Sequence, residues 1–252
     1  MDLGLKDCVI LVTGSTKGLG KAICEVAAQE GAIPVLTGRT EQVLQETVEE
    51  MQKKYRTEIS GICMDVSQKE DLYRTMELVE KRYGKIDVLI NNAGVWPQAY
   101  VLDMEEKEFE DTLKVNLEAP FILSKLFFQK KVEKKESGKI INIVSQAAFH
   151  GSTTGHAHYA ASKAGLVGFT ISLAREAAPY GINVNAVAPG IMNTPMFAKA
   201  MEERGDYYKS RIPLGRIAEP EEVADAVIFL ASQRANYLTG ITLDATGGML
   251  MR

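Results

Sequence analysis

Short apolar runs alternate along this chain with longer stretches in which apolar residues recur every three or four positions. The runs Cys8–Val12, Ile33–Thr37, Ile59–Met64, Val88–Ile90, Lys139–Val144, Ile182–Val187 and Ile241–Leu243 suit buried strands. Between them, helical spacing carries Ala22, Ile23, Val26 and Ala27 to a stop at Gly31, then returns over Leu44–Lys54 and Leu72–Tyr83. A long helical stretch runs from about Glu106 to Glu136, interrupted at Pro120. Another holds Tyr159 and is stopped by Pro179, and a last one covers Glu221–Ser232. The segment from Pro189-Gly190 to Pro213 reads as irregular. This unbroken alternation predicts an α/β fold: one doubly wound parallel sheet, Rossmann-like, with helices on both faces and residues 1–252 in a single domain.

Two stretches bear chemistry. The first, Thr13-Gly14-Ser15-Thr16-Lys17-Gly18-Leu19-Gly20, lies between a strand and a helix, with another strand to follow. That order is a dinucleotide-binding βαβ unit, in which glycines let the backbone approach a pyrophosphate at the helix N-terminus. The alternative is a glycine turn that binds nothing. The second is Tyr159-Ala160-Ala161-Ser162-Lys163. On a helix, Tyr159 and Lys163 share one face, and a nearby ammonium favours the phenolate. A lowering of about 3 pKa units corresponds to about 4 kcal/mol and would let the phenol exchange protons near neutral pH. Alone, such a pair is two ordinary helix residues.

Composition narrows the class. Apolar residues make up 46% and charged residues 25% of the chain, as in ordinary globular proteins. A net charge of −4 with dispersed Lys and Arg argues against nucleic acid as a partner. No apolar run reaches membrane-spanning length, and the acidic start Met1-Asp2-Leu3-Gly4-Leu5-Lys6-Asp7 is unlike a signal peptide. Cys8, Cys24 and Cys63 are scattered in apolar surroundings, which suits buried thiols in a reducing cytoplasm. His150, His156 and His158 do not make a metal set.

The motifs together resemble the compact short-chain dehydrogenases/reductases, over essentially the whole chain. They are Thr13-Gly-x-x-x-Gly18-x-Gly20, Asp65 after the third strand, Asn91-Asn92-Ala93-Gly94, Asn116, Ser145, Tyr159-x-x-x-Lys163, and Pro189-Gly190 followed by Thr194. The resemblance implies Tyr159 as general acid/base between a ketone and a secondary alcohol, with hydride exchanged with a nicotinamide. Lys163 would lower the Tyr159 pKa and hold the nicotinamide ribose, Ser145 would bond the substrate oxygen, and Asn116 would hold a proton-passing water. Gly14 through Gly20 would line the pyrophosphate turn, including Ser15, Thr16 and Leu19. Asp65 and Val66 would frame adenine, and Asn92, with Ala93 and Gly94, would contact the adenosine ribose. Pro189, Gly190, Ile191 and Thr194 would position the carboxamide.

At the end of the second strand Gly38 stands where NAD-preferring members carry a carboxylate, and Arg39 follows it. Arg39 and Lys17 can pair with a 2′-phosphate, so the expected cofactor is NADP(H). The phrasing around Tyr159, Asn185–Gly190 and Ile212–Arg216 is similar to 3-oxoacyl-[acyl-carrier-protein] reductases. Glu136 and Tyr180 stand where those enzymes dock their acidic carrier with arginines, though Lys131, Lys134 and Lys135 could partly compensate. Ser145 lies one residue further from Tyr159 than in most members, and Thr246 replaces a usual Asp. A free small or medium-sized ketone is therefore the expected substrate, with the carrier-bound 3-oxoacyl group as alternative and a silent NADP sensor as remote alternative. Candidate pocket walls are Trp96, Gln146, His156, Met192, Met196, Phe197 and Tyr208, with a substrate lid at about 192–213. The resemblance also implies a homotetramer.

Overall fold

The computed structural model describes residues 2–152 and 154–251. Seven parallel strands form one sheet: β1 (Val9–Val12), β2 (Ile33–Gly38), β3 (Ser60–Cys63), β4 (Val88–Asn91), β5 (Gly138–Ile143), β6 (Ile182–Pro189) and β7 (Thr242–Ala245). Their order is β3-β2-β1-β4-β5-β6-β7, the doubly wound arrangement expected. The winding reverses at β1, whose neighbours are β2 on one side and β4 on the other. The chain leaves those two strand ends in opposite directions, which opens a crevice at their carboxyl ends.

The helices are α1 (Gly18–Gln29), α2 (Glu41–Lys54), α3 (Lys69–Tyr83), α4 (Glu106–Leu113), α5 (Ala119–Lys134), α6 (Ala147–His150), α7 (Ala157–Ala177), α8 (Ala198–Ser210) and α9 (Pro220–Ala231). Strand residues alternate between the two faces. Ile10 and Val12 pack toward Ile23 of α1, Leu44 of α2 and Val227 of α9. Val9 and Leu11 pack toward Met76 of α3, Phe127 of α5 and Leu173 of α7. Among the described residues, no helix is long and apolar enough to cross a membrane.

Three sequence expectations need correction. The helical break lies at Lys114–Glu118, a π-helical turn, and Pro120 falls in the first turn of α5 beyond it. Proline has no N–H to give the Asn116 carbonyl four residues back, and the ladder widens there. The segment thought irregular before Pro213 contains α8, kinked at Arg204 (φ −144°, ψ 29°), whose polar surface hid it from periodicity. Of the cysteines only Cys24 is buried, while Cys8 and Cys63 are partly exposed.

Leu89 is fully shielded at the centre of the sheet, paired with Leu11 and Ile140. Leu89→Ala should cost about 2–5 kcal/mol, read as a lower midpoint in reversible denaturation. A loss below about 1 kcal/mol would contradict that placement.

Candidate active site

Beyond β1 the chain turns sharply into α1, and a second loop braces that turn. The Thr13 hydroxyl accepts hydrogen bonds from the Asn92 and Ala93 backbone N–H groups, both at 2.9 Å. The Asn92 side-chain amide donates to the carbonyls of Thr13 (2.8 Å) and Gly14 (3.0 Å). A Cβ on Gly20 would lie 2.5 Å from that amide nitrogen and 2.4 Å from the Gly14 oxygen, so only glycine fits. Asn92 thus spends its donors on the turn rather than on a ribose, although it still lines the adjoining cavity. Thr13, which opens the motif in sequence, proves to be the strap between the two loops, a role that its place in the motif does not disclose. Ser15 is a correction: its hydroxyl donates to Val12 O (3.0 Å) and accepts from Thr37 N–H (2.9 Å), fully buried between β1 and β2.

The crevice forms a cavity of about 780 Å³. Every expected cofactor residue lines it except Ser15, and so does every expected pocket residue. The N-terminus of α1 faces it with no side-chain cap and no acid in its first turn, leaving unpaired N–H groups for an anion. Lys17 and Arg39 are exposed on its rim. A Cβ on Gly38 would meet the Thr16 methyl at 2.5 Å, so a carboxylate-bearing side chain there would displace Thr16. Asp65, also lining the cavity, accepts the Ser67 N–H at 2.9 Å and so stiffens the turn ahead of α3.

Deeper in, α7 places Tyr159 and Lys163 against the end of β5. The Lys163 ammonium is buried and donates to the Ile143 carbonyl at 2.7 Å. Burial pulls its pKa down to about 8. Its nitrogen lies 5.9 Å from the centre of the Tyr159 ring. The expected lowering of the Tyr159 pKa is not found in the protein alone. Burial pushes the phenol above its ordinary value, and a hydrogen bond from Ser145 only partly opposes that. Burial thus outweighs any pull that Lys163 exerts from that distance.

Asn116 is fully buried and does not line the cavity. Its amide accepts from Val95 N–H (2.9 Å) and donates to Val95 O (3.0 Å) and Ser162 Oγ (3.1 Å). Both amide hydrogens are therefore spent on holding the loop after β4 to α7. A Cβ on Gly94 would come within 3.2 Å of the Asn116 oxygen and 3.5 Å of Lys163 Nζ. That loop, the lysine and Asn116 form one packed unit.

The outer wall is aromatic. Trp96 stacks on His156 with ring centres 4.2 Å apart, and Phe197 lies 5.6 Å from Trp96 and 4.9 Å from Tyr208. His156 Nδ1 is 2.6 Å from the Pro97 carbonyl, and burial holds its pKa below the usual value. Tyr207, Arg211 and Met249 also reach the cavity and were missed, because α8 and the C-terminal tail carry no apolar period pointing at it.

Below pH 8 Lys163 is protonated in both folded and unfolded chains, at the full cost of burial. Between about 8 and 10.5 the unfolded chain holds the extra proton, so stability rises with pH. The stability of wild type relative to Lys163→Met should therefore climb across this window in pH-dependent denaturation. A pH-independent difference would contradict the burial of the charge.

Comparison with known proteins agrees with this geometry. The family model for enoyl-(acyl carrier protein) reductase matches residues 14–250. The 3-oxoacyl-[acyl-carrier-protein] reductase FabG of Aquifex aeolicus is 41% identical over 249 residues, 99% of this chain and 100% of its own. FabG of Escherichia coli K12 is 37% identical over 243 residues, 96% of this chain and 97% of its own. The crystal structure of gox2181 superposes with a TM-score of 0.95 at 30% identity, covering 98% of this chain and 97% of that one. A candidate NAD(P)-dependent gluconate 5-dehydrogenase of Beutenbergia cavernae, with bound NADP, gives 0.92 at 34% identity and 99% coverage of both chains. With its Gly-rich turn, its tyrosine and its lysine gathered in one crevice, the chain belongs to the short-chain dehydrogenase/reductase family.

Proposed function

We propose that this protein is an NADP(H)-dependent oxidoreductase that reduces a free small or medium-sized ketone to a secondary alcohol. The observation that carries the reading is Tyr159, Ser145 and Lys163 lining the same cavity as the open N-terminus of α1. The residues fit the cofactor. Uncapped N–H groups suit its pyrophosphate, and the absence of a carboxylate at Gly38, with Lys17 and Arg39 at the rim, suits a 2′-phosphate. When bound, reduced nicotinamide supplies hydride.

Ser145 donates to the ketone oxygen, and Tyr159 gives that oxygen its hydroxyl proton as charge develops on it. The phenol holds its proton, and because burial makes it a weaker acid the step leans on a nearby positive charge to favour the phenolate. Lys163, close to the phenolate that remains, limits the cost of that charge. Asn116 acts by holding the loop and α7 together rather than by touching substrate. The segment 192–213, with α8 kinked at Arg204 and Tyr207, Tyr208 and Arg211 on the cavity, serves as a lid. Apolar side chains exposed on α4, α5 and α7, among them Phe109, Phe121 and Ile171, support a homotetramer. The cysteines, none in a disulfide, accord with a cytoplasmic enzyme.

Reduction of a carrier-bound 3-oxoacyl group is the second reading, favoured by the FabG relatives at up to 41% identity. The surface weighs against it. Lys131 is buried and paired with Glu136 at 3.0 Å, and Lys134 is held by Glu80 and the Gly84 carbonyl. Lys131 cancels the charge of Glu136 and Lys134 that of Glu80, so neither lysine brings an unbalanced positive charge to an acidic carrier.

NADPH consumption over a ketone panel that includes one acyl-carrier-protein thioester should show turnover of free ketones. A kcat/KM about 100-fold higher for the thioester would reverse the order of the two readings. Tyr159→Phe should lower kcat about 10²–10⁴-fold while the NADPH Kd stays within about threefold; an unchanged rate would remove the acid. Arg39→Ala should cut the NADPH-over-NADH preference about tenfold or more, the worth of one charge-assisted bond.

A further inference from the structure

Gln146 directly follows Ser145 and lines the cavity. Its backbone is fixed, since its N–H donates to the Pro189 carbonyl at 3.3 Å and the Phe149 N–H donates to its own carbonyl at 3.0 Å. Its side-chain amide is poorly served. Among the described residues the nitrogen meets only the Met249 sulfur, at 3.8 Å, and the oxygen is buried without a hydrogen-bond partner. A thioether is a weak acceptor, and a buried amide oxygen left unpaired is costly. Near it Asn116 makes three bonds, Thr13 accepts two and Ser15 has two partners, while the other unpartnered atoms close by, on His158 and Asn91, belong to residues that do not line the cavity.

Met249 sits on the tail that follows β7. Thr246, where the family usually carries Asp, clamps this tail, its hydroxyl accepting from Leu250 N–H (3.1 Å) and donating to Leu250 O (3.2 Å). Gly248, at φ +90°, then turns Met249 toward the amide. The thioether is flexible and unbranched, so it can leave a polar group that a better partner claims.

The geometry points to Gln146 as a specificity residue that binds a hydroxyl of the substrate beside the reacting carbonyl, with Met249 covering the amide until that hydroxyl displaces it. The inference rests on the ketone-reductase reading above and names its substrate class: a hydroxylated ketone rather than an apolar ketone or acyl chain. A half-turn of the amide would leave an unpaired N–H in place of the oxygen. A hydroxyl both donates and accepts, so it satisfies either arrangement. His150, Ser152 and Thr154 add polar surface to the same cavity, and Trp96 offers a flat aromatic face.

Matched pairs of substrates test this: hydroxyacetone against 2-butanone, and 2-hydroxycyclohexanone against 2-methylcyclohexanone, each exchanging a hydroxyl for a methyl. Wild type should favour the hydroxylated member in kcat/KM by tenfold or more. Gln146→Leu should reduce that preference at least tenfold, mainly through KM for the hydroxylated member. Met249→Ala, which uncovers the amide, should raise the preference about threefold or more, so the inference does not hang on one variant folding. Turnover of both members with a preference untouched by either substitution would overturn the subsite and leave the reductase reading standing. No turnover of any ketone, despite NADPH binding, would overturn both.

Discussion

A buried ammonium is the constraint on which the rest of the site depends. Lys163 enters from α7, and its charge ends against the Ile143 carbonyl at the end of β5. Taking an ammonium out of water is expensive, and the fall of its pKa to about 8 measures that cost in direction. The surroundings are shaped to keep it there. Gly94 leaves room beside the nitrogen, Asn116 holds the loop that carries Gly94, and Ser162, bonded by Asn116, is anchored to the Tyr159 carbonyl at 2.7 Å. The loop after β4 and the helix α7 are thereby tied to each other.

The same economy extends through the sheet. Asn91 donates to Ser124 and to Asn142, and Asn142 donates to Thr170 on α7, at 2.8–3.1 Å. These bonds tie the centre of the sheet to α5 and α7 through groups that an apolar core would reject if unpaired. Asn91 and Asn92 adjoin in sequence and divide the labour. One fixes the helices behind the sheet, while the other fixes the Gly-rich turn in front of it. Thr13 completes that second bond set from the neighbouring strand.

Most of the fold was legible because strand and helix periods are properties of the local chain, and α/β alternation leaves few topologies. The cavity's membership was legible from motif order. Less visible were the things that only packing decides. Ser15 reads as part of a phosphate turn, yet its hydroxyl faces the sheet. Asn116 reads as a water-holding residue, and only packing shows that its side-chain amide is committed to Val95 and Ser162. Pro120 marks a break whose position depends on which carbonyl loses its donor. The helix α8 has too little apolar pattern to announce itself, and Met249 belongs to a tail with no period at all.

The phenol shows why the sign of an effect needs the structure. From sequence, a lysine four residues away argues for a more acidic tyrosine. Inside the protein, burial acts on both groups at once, raising the phenol and lowering the ammonium. Near neutral pH the pair therefore keeps a proton on the phenol and, with the lysine at about 8, still mostly one on the ammonium. The packing that hides Tyr159 and Lys163 thus moves both groups at once, each toward its neutral form, so one cause shapes the site and its proton chemistry.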